Sequence, residues 1–199
     1  MRLFVALSIA EDVKRELRAL QLRVRDQLGS DEGRWCPPEQ LHLTVRFLGE
    51  VAPGLVSNLV ADLESACRNL LPFSVTAAGL GCFPPRRSPR VLWVGMHSSQ
   101  SELHQLHLGI TQATSAFAEQ PPEALFQPHV TLARFRFIHP PAAKLMAKVC
   151  AESESQTFGS WTVSELVLIQ SELSSGGSRY TTLARLPLAG PITQGTPAS

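Results

Sequence analysis

The stretch His42-Leu43-Thr44-Val45 is repeated as His129-Val130-Thr131-Leu132, and these two copies decide how the rest of the chain is interpreted. In each copy, a histidine and a threonine stand two residues apart inside an apolar run. On a β-strand this spacing places both polar side chains on one face, because side chains alternate between the two faces. A turn-prone segment with proline precedes each copy. The chain therefore uses one polar strand motif twice.

The composition is that of an ordinary globular protein. The chain has 199 residues, 44% hydrophobic and 18% charged, which is enough for a core in one domain or two small lobes. Because the formal net charge is only +1, an anionic ligand must be bound by locally clustered charge. The four cysteines are widely spaced, which favours a reduced cytoplasmic protein. The short apolar start is typical of a strand, not of a signal peptide or membrane span.

Hydrophobic periodicity predicts strands that alternate with amphipathic helices. The expected strands are 3–9, 41–48, 73–80, 91–96, 129–137, 158–173 and 180–188, and the expected helices are 11–28, 53–71, 101–118 and 140–151. The second half of this order repeats the first. We expect an α+β fold, a duplicated unit with two small, mostly antiparallel sheets that face each other across a central cleft, helices on the outside and a pseudo-two-fold axis. The bilobal domain is expected to span 1–188, followed by a disordered tail at 189–199.

Two further features have a structural and a functional interpretation. The connector 82–90 carries Arg86, Arg87 and Arg90 among prolines, which indicates a solvated hairpin loop or a basic lip over a phosphate-bearing ligand. His104 and His107 stand three apart on a predicted helix and share a face that could hold a metal. Because no third ligand is in view, a solvated helix face is the preferred interpretation.

The paired motifs favour acid-base chemistry without a metal. Histidine exchanges a proton near neutral pH, so two facing imidazoles form an acid and a base. A threonine beside each supplies a hydroxyl for an oxyanion, and a zinc site would want three or four protein ligands. A phosphodiester with one histidine on each side fits this arrangement. A single such strand would more simply hold a half-buried, hydrogen-bonded histidine.

The chain resembles the two-histidine phosphoesterase superfamily, and most closely its bacterial and archaeal RNA 2',3'-cyclic phosphodiesterase branch, also called 2'-5' RNA ligase. The two motifs carry the resemblance, together with the segments that flank them and with stretches near both ends. These further stretches are Arg2-Leu3-Phe4-Val5-Ala6-Leu7, Arg46-Phe47-Leu48-Gly49-Glu50, Pro89-Arg90-Val91-Leu92-Trp93-Val94-Gly95, Ala133-Arg134 and Arg179-Tyr180.

The resemblance implies hydrolysis of an RNA 2',3'-cyclic phosphate end to a 2'-phosphate, with no cofactor and no metal. It makes His42 the general acid toward the leaving 3'-oxygen and His129 the general base on water. Thr44 and Thr131 would hold the non-bridging phosphate oxygens. Reversible 2'-5' RNA ligation uses the same chemistry.

Strand alternation divides the remaining candidates for substrate binding. Arg134 matches the arginine that follows the second motif, yet on a regular strand it would point away from His129 unless a bulge brings it round. By the same count Arg46 shares the face of His42 and is the better-placed cation. Phe47, like Phe126 or Trp35, could stack on a terminal base, although core packing is the preferred role for each.

The expected partner is an RNA 3' end that carries a 2',3'-cyclic phosphate, with tRNA fragments as one source, or a cyclic nucleotide. No membrane is expected, and the protein is expected to be a cytoplasmic monomer. Two alternatives stay open: a two-histidine phosphoesterase that acts on small cyclic nucleotides or ADP-ribose cyclic phosphate, and a non-catalytic module that binds RNA ends.

Overall fold

Nine strands and four helices make up the computed structural model, which describes residues 1–28, 33–85, 89–119, 121, 125–174 and 177–190. The strands are β1 (Arg2–Ser8), β2 (Gly33–Trp35), β3 (His42–Glu50), β4 (Phe73–Phe83), β5 (Val91–His97), β6 (His129–Phe135), β7 (Thr157–Val163), β8 (Glu165–Ser174) and β9 (Gly177–Pro187). The helices are α1 (Glu11–Leu28), α2 (Val56–Cys67), α3 (Glu102–Ala113) and α4 (Pro140–Glu152). Short 3₁₀ turns occupy Pro38–Gln40 and Pro53–Leu55.

The helices follow from amphipathic spacing and from favourable first turns. In α1, the residues Val13, Leu17, Leu20 and Val24 recur every three or four positions and are buried. Glu11 and Asp12 lie in the first turn of the same helix, where the helix dipole favours negative charge. Proline opens α4, and this position suits its missing N–H and fixed φ.

All the strands pair antiparallel in one sheet with the order β7-β4-β5-β6-β3-β1-β8-β9, and β2 adds to β6. One half is β3-β1-β8-β9 and the other is β6-β5-β4-β7. The halves meet where β3 lies beside β6, through the residue pair Leu43 and Val130. The α+β class and the duplication are confirmed, but the two expected sheets are joined into one sheet through the motif strands.

Each half of the sheet receives a strand from the other repeat. The first repeat runs β1-α1-β3-α2-β4, and its last strand pairs with β5 of the other half. The second repeat ends in β8, which pairs with β1. The single strand expected at 158–173 is therefore wrong, because the chain turns at Ser164. Before this turn it forms β7 beside β4, and after it β8 at the other end of the sheet.

The two faces of the sheet carry separate apolar clusters. The main core includes Leu7, Val45, Val94 and Leu132 together with buried residues of the helices, such as Leu17. A smaller cluster lies on the opposite face, within the first half of the sheet. It consists of Phe4, Ala6, Val167 and Ile169, with Tyr180 packed against it. The helices therefore cover one face of the sheet, and the motif histidines and threonines lie on the other.

Hydrogen-bonded structure at the end of the chain continues past the predicted domain boundary at residue 188. Ala189 and Gly190 donate backbone hydrogen bonds to the carbonyls of Cys67 and Leu70 at the end of α2. The rest of the expected tail, 191–199, lies outside the described residues, as do Arg86 and Arg87. All four cysteines are unpaired. None of the helices in the described part of the chain has an apolar stretch long enough to span a membrane.

Candidate active site

A cleft of about 720 Å³ opens over the junction of β3 and β6. It is lined by both motif histidines, His42 and His129, and by five side chains that the sequence nominates for substrate binding, namely Thr44, Arg46, Phe47, Thr131 and Arg134. Both motif histidines and both threonines are half-buried. The antiparallel pairing of Leu43 with Val130 turns the polar residues on either side of this pair toward the same face. The cleft therefore brings both motifs into one site.

Each motif histidine is oriented by the carbonyl two residues before it. His42 Nδ1 lies 2.7 Å from the carbonyl oxygen of Gln40, and His129 Nδ1 lies 2.7 Å from that of Gln127. A carbonyl can only accept, so each Nδ1 carries the hydrogen. In the neutral ring, Nε2 is then the free acceptor, and it is the atom left for a substrate. Both rings are thus prepared for proton transfer through Nε2.

One extra residue interrupts the alternation of each motif strand at the same position. In β3, Thr44 pairs with Ala6 and Arg46 with Val5, so Val45 is the extra residue. In β6, Thr131 pairs with Trp93 and Ala133 with Leu92, so Leu132 is the extra residue. Such a β-bulge shifts the facing of every later side chain.

The bulges decide which residue after each motif faces the cleft. Arg46 and Ala133, which follow the bulges, are buried, with Arg46 only 5% exposed. Phe47 and Arg134 come next and are exposed. The regular alternation that made Arg46 the better-placed cation is therefore wrong. Arg134 regains the histidine face, and its counterpart in the first half is Phe47, which is 51% exposed.

A buried polar side chain holds each bulge from the helix of the opposite half. The Leu132 carbonyl accepts from Gln21 Nε2 of α1 at 2.9 Å and from the Cys36 N–H at 2.9 Å. The Val45 carbonyl accepts from His107 Nδ1 of α3 at 2.8 Å. Gln21 and His107 are 1% and 7% exposed. The expected solvated face is thus wrong for His107, although His104 is exposed.

His42 lies in an aromatic cluster. Its ring centroid is 4.9 Å from that of Phe4 and 5.4 Å from that of Tyr180, and Phe4 also contacts Phe47 at 5.9 Å. Burial lowers the pKa of His42; the hydrogen bond to Gln40 opposes this, while the positive charges of Arg134 and His129 lower it further. The neutral imidazole is therefore favoured until a negative charge enters the cleft.

His129 has different neighbours. Its ring lies 5.2 Å from Phe83 and 6.0 Å from Trp93, and these two aromatic rings are 5.1 Å apart. Trp35 packs edge-on against Phe135 at 6.2 Å, and Phe126 stacks in parallel on His107 at 4.0 Å. Packing with neighbouring rings thus occupies Trp35 and Phe126, whereas Phe47 presents a large exposed area.

Several residues of the site were not predicted from the sequence. Phe4 and Tyr180 surround His42, and they lie far from the first motif in the chain. Gln40 and Gln127 each precede a motif histidine by two residues, so the repeated Gln-x-His-x-Thr spacing is the sequence signal that marks them. Within the described ranges, no group of three or more histidine, cysteine, aspartate or glutamate side chains is arranged to hold a metal.

Comparison with known proteins finds the same duplication. The profile of the LigT-like phosphoesterase family matches residues 7–93 and again residues 94–180, one motif in each match. An RNA 2',3'-cyclic phosphodiesterase of Thermus thermophilus is 32% identical over 198 residues, which is 96% of this chain and 91% of that protein. One of Aquifex aeolicus is 27% identical over 188 residues, or 94% of this chain and 95% of that protein.

Solved structures agree with the sequence relatives. A crystal structure of a Thermus thermophilus protein superposes with a TM-score of 0.80 at 29% identity and covers 96% of this chain and 99% of that one. Escherichia coli LigT complexed with 3'-AMP gives a TM-score of 0.70 at 28% identity, with 94% of this chain and 97% of that one covered. The two family matches span most of the sequence, and the chain belongs to the LigT-like phosphoesterase family.

Proposed function

We propose that the protein hydrolyses 2',3'-cyclic phosphate ends of RNA to 2'-phosphate ends, with His42 and His129 as the acid and base pair. One observation carries the proposal: two imidazoles on adjacent strands share a cleft, and both have Nδ1 bonded to a carbonyl, which leaves both Nε2 atoms for the substrate. The relatives named RNA 2',3'-cyclic phosphodiesterase support the choice of substrate.

The reaction is an in-line displacement at phosphorus. His129 Nε2 takes a proton from water as the water oxygen bonds to phosphorus. The bond from phosphorus to O3' breaks, and O3' receives a proton from His42 Nε2. The phosphate stays on O2', and the two histidines exchange protonation states, which solvent then resets. Thr44, Thr131 and Arg134 would hold the non-bridging oxygens, where negative charge accumulates.

The lowered pKa of His42 links its role as acid to substrate binding. In the free cleft, burial and the positive charge of Arg134 disfavour the imidazolium form of His42. The phosphodiester brings a negative charge, which favours the charged form of a nearby imidazole. Binding the substrate would therefore raise the pKa of His42 and protonate the acid when it is needed.

The other nominated residues receive more peripheral roles. Phe47, exposed at the rim beside Phe4, would stack on the base of the terminal nucleotide. Arg46 lines the cleft from a buried position, and its charge would favour an anionic substrate. We propose a monomer of one bilobal domain, and a cytoplasmic location in line with the four unpaired cysteines.

The test uses an oligoribonucleotide that ends in a 2',3'-cyclic phosphate, incubated in EDTA with wild type, His42→Ala and His129→Ala. We expect a 2'-phosphate product from the wild type and a loss of roughly 10²- to 10⁴-fold in each variant, the usual contribution of a general acid or base. His139→Asn is the matched control, because His139 caps α4 and asparagine is also a good N-cap.

Other outcomes would identify the alternatives. A 3'-phosphate product, or full activity in either alanine variant, would contradict the assigned roles. Equal activity on a small cyclic nucleotide and on the oligonucleotide would favour the small substrate, and tight binding of the RNA end without turnover would favour a binding module. Loss of activity in EDTA would indicate a metal.

A further inference from the structure

The side chain of Gln40 connects the first motif to strand β9. Gln40 ends the short 3₁₀ turn Pro38–Gln40, and its carbonyl accepts the hydrogen bond from His42 Nδ1 at 2.7 Å. Its side-chain Nε2 donates to the carbonyl oxygen of Ser178 in β9 at 3.0 Å. One half-buried residue thus contacts the imidazole with its backbone and β9 with its side chain.

A second contact holds the same segment against the start of β9. Arg34 lies in β2, and a Cβ atom built on Gly177 would clash with its guanidinium group. Gly177 has a φ of +129°, a conformation that glycine adopts readily and that here lets the guanidinium approach the backbone of β9. The segment before the first motif is therefore packed against β9 at two points, through Arg34 and through Gln40.

Strand β9 also reaches the His42 ring directly. Tyr180, two residues after Ser178, packs edge-on against His42 with the ring centroids 5.4 Å apart. Tyr180 also packs edge-on against Phe4 at 5.3 Å, and Phe4 lies 4.9 Å from the His42 ring. The contacts form a closed circuit, because the imidazole is held by the Gln40 carbonyl, Gln40 is held by β9, and β9 returns to the imidazole through Tyr180.

The surroundings of the second motif differ at this point. The His129 ring also bonds to a carbonyl, that of Gln127. The side chain of Gln127 is exposed, however, and among the described residues it makes no hydrogen bond. The anchored glutamine thus distinguishes the histidine proposed as the acid from the one proposed as the base.

We propose that Gln40 is a positioning residue for the general acid, and that its amide bond to β9 keeps Nε2 of His42 directed at the leaving O3'. This step rests on the proposed function, in which His42 protonates O3'. The Gln40 carbonyl also favours the imidazolium, because its hydrogen bond raises the pKa of His42 and opposes the effect of burial. Without the bond to β9 the carbonyl loses its fixed direction, so the acid is both misdirected and less often protonated.

The experiment compares two leaving groups in Gln40→Met, a substitution that keeps the length of the side chain and removes the donor. The first substrate is an oligoribonucleotide that ends in a 2',3'-cyclic phosphate, whose leaving O3' needs a proton. We expect its kcat to fall by roughly 10- to 100-fold, since a misplacement of about 1 Å can cost 10²-fold. The second substrate is a p-nitrophenyl phosphodiester, whose phenolate departs without a proton, so its rate should stay at the wild-type value.

The pH profile and the tautomer of His42 give two further readouts. The limb of the kcat/KM profile that reports His42 should move to lower pH, because the Gln40 carbonyl contributes less to raising its pKa. The ¹⁵N shifts of the imidazole report which ring nitrogen carries the hydrogen. The share of the Nδ1–H form should fall in Gln40→Met, since the carbonyl selects that tautomer.

Gln170→Met is the matched control. Gln170 lies on β8, its amide donates to Glu172 on the same strand at 3.2 Å, and it does not line the catalytic cleft. The same substitution there should leave both rates, the pH profile and the tautomer of His42 as in wild type.

Three results would overturn the positioning role of Gln40. They are a wild-type rate on the cyclic phosphate, an equal loss on both substrates, and an unchanged share of the Nδ1–H tautomer in folded Gln40→Met. If the wild type itself hydrolyses no cyclic phosphate, the proposed function fails, whereas the tautomer measurement still tests the contact between Gln40 and β9.

Discussion

The two halves of the cleft share a backbone pattern, but the side chains around their two histidines differ. Both carry a His-x-Thr strand, a bulge one residue after the threonine and a buried polar side chain that holds the bulge. After the bulge, the first residue that faces the cleft is Phe47 in one half and Arg134 in the other. His42 lies against Phe4 and Tyr180, whereas His129 lies against Phe83 and Trp93. The duplication supplied two equivalent histidines, and the neighbours make them different.

The strongest test of this difference uses a leaving group that needs no proton. On an aryl phosphodiester such as a p-nitrophenyl ester, a phenolate departs unaided, so His42→Ala should lose little activity. His129→Ala should lose roughly 10²- to 10⁴-fold on this ester, as on the cyclic phosphate, because water must still be activated. Initial rates of p-nitrophenolate release check this. Equal losses in both variants would mean that the roles do not divide between the halves.

Arg134 and Phe47 should affect activity differently. Arg134→Gln removes a charge from the phosphate site, and we expect kcat/KM to fall by roughly 10- to 100-fold, about 1.5–3 kcal/mol for a hydrogen bond to a charged group. Phe47→Leu should weaken only substrates that carry a terminal base, since it removes a stacking surface. The comparison uses an oligonucleotide that ends in a cyclic phosphate and one that ends in an abasic ribose cyclic phosphate. A base-independent loss in Phe47→Leu would reject the stacking role.

The Arg134→Gln variant also tests the electrostatics of His42. Arg134 lowers the pKa of His42 because a nearby positive charge disfavours the imidazolium. Its removal should therefore raise that pKa and shift the limb of the kcat/KM profile that reports His42 to higher pH. Titration of the imidazole signals by NMR measures the same shift. A pKa that stays constant, or falls, would show that the two groups do not interact.

The bulge contacts should produce a smaller effect on activity and a clear one on stability. Gln21→Met and His107→Phe each remove the donor to a bulge carbonyl. We expect His107→Phe to lower the free energy of unfolding by about 1–3 kcal/mol, because it removes the side-chain donor to the buried Val45 carbonyl. Gln21→Met should lower it by about 0.5–1.5 kcal/mol, a typical net hydrogen bond, because the Leu132 carbonyl still accepts from the Cys36 N–H. Because Gln21 holds the bulge before Arg134, Gln21→Met should lower kcat more than His107→Phe does. Urea unfolding and steady-state kinetics check both, and equal kcat values would contradict the link.

The smallest expected effect concerns the stability at acidic pH. Burial lowers the pKa of His42 below its ordinary value of 6.5, so below that pH the unfolded chain binds more protons than the folded one. The contribution of His42 to stability is therefore fully present above about pH 6.5 and is lost as the pH falls. As the pH is lowered from 8 to 5, the Tm of wild type should therefore fall more than the Tm of His42→Gln. A constant difference in Tm would contradict the burial argument.

Local patterns in the sequence predicted the elements and the shared site, because they record which face of an element is buried. The two motifs indicated the duplication and the pair of histidines that share the cleft. The pattern does not record which strands become neighbours, so the apolar run at 158–173 showed no sign of the turn at Ser164. For the same reason, two sheets were expected where β3 and β6 join them into one.

The bulges were hidden for a related reason. A bulge depends on how two strands pair. The sequence of one strand shows two adjacent residues, Val45-Arg46 or Leu132-Ala133, and nothing in it marks one of them as the extra residue. Regular alternation therefore places Arg46 on the face of His42 and turns Arg134 away from His129. The helix pattern likewise predicts a surface position for His107, because its acceptor, the Val45 carbonyl, is distant in the chain.

The pairing of Leu43 with Val130 has a mechanical consequence. Within the described ranges it is the one residue pair by which β3 and β6 are in register, and a motif histidine adjoins each of its members. A small rotation of one half against the other about this pair would change the separation of the two imidazoles. The register of this pair therefore controls how far apart the two imidazoles lie, and the amide exchange rates of Leu43 and Val130 would report on its opening.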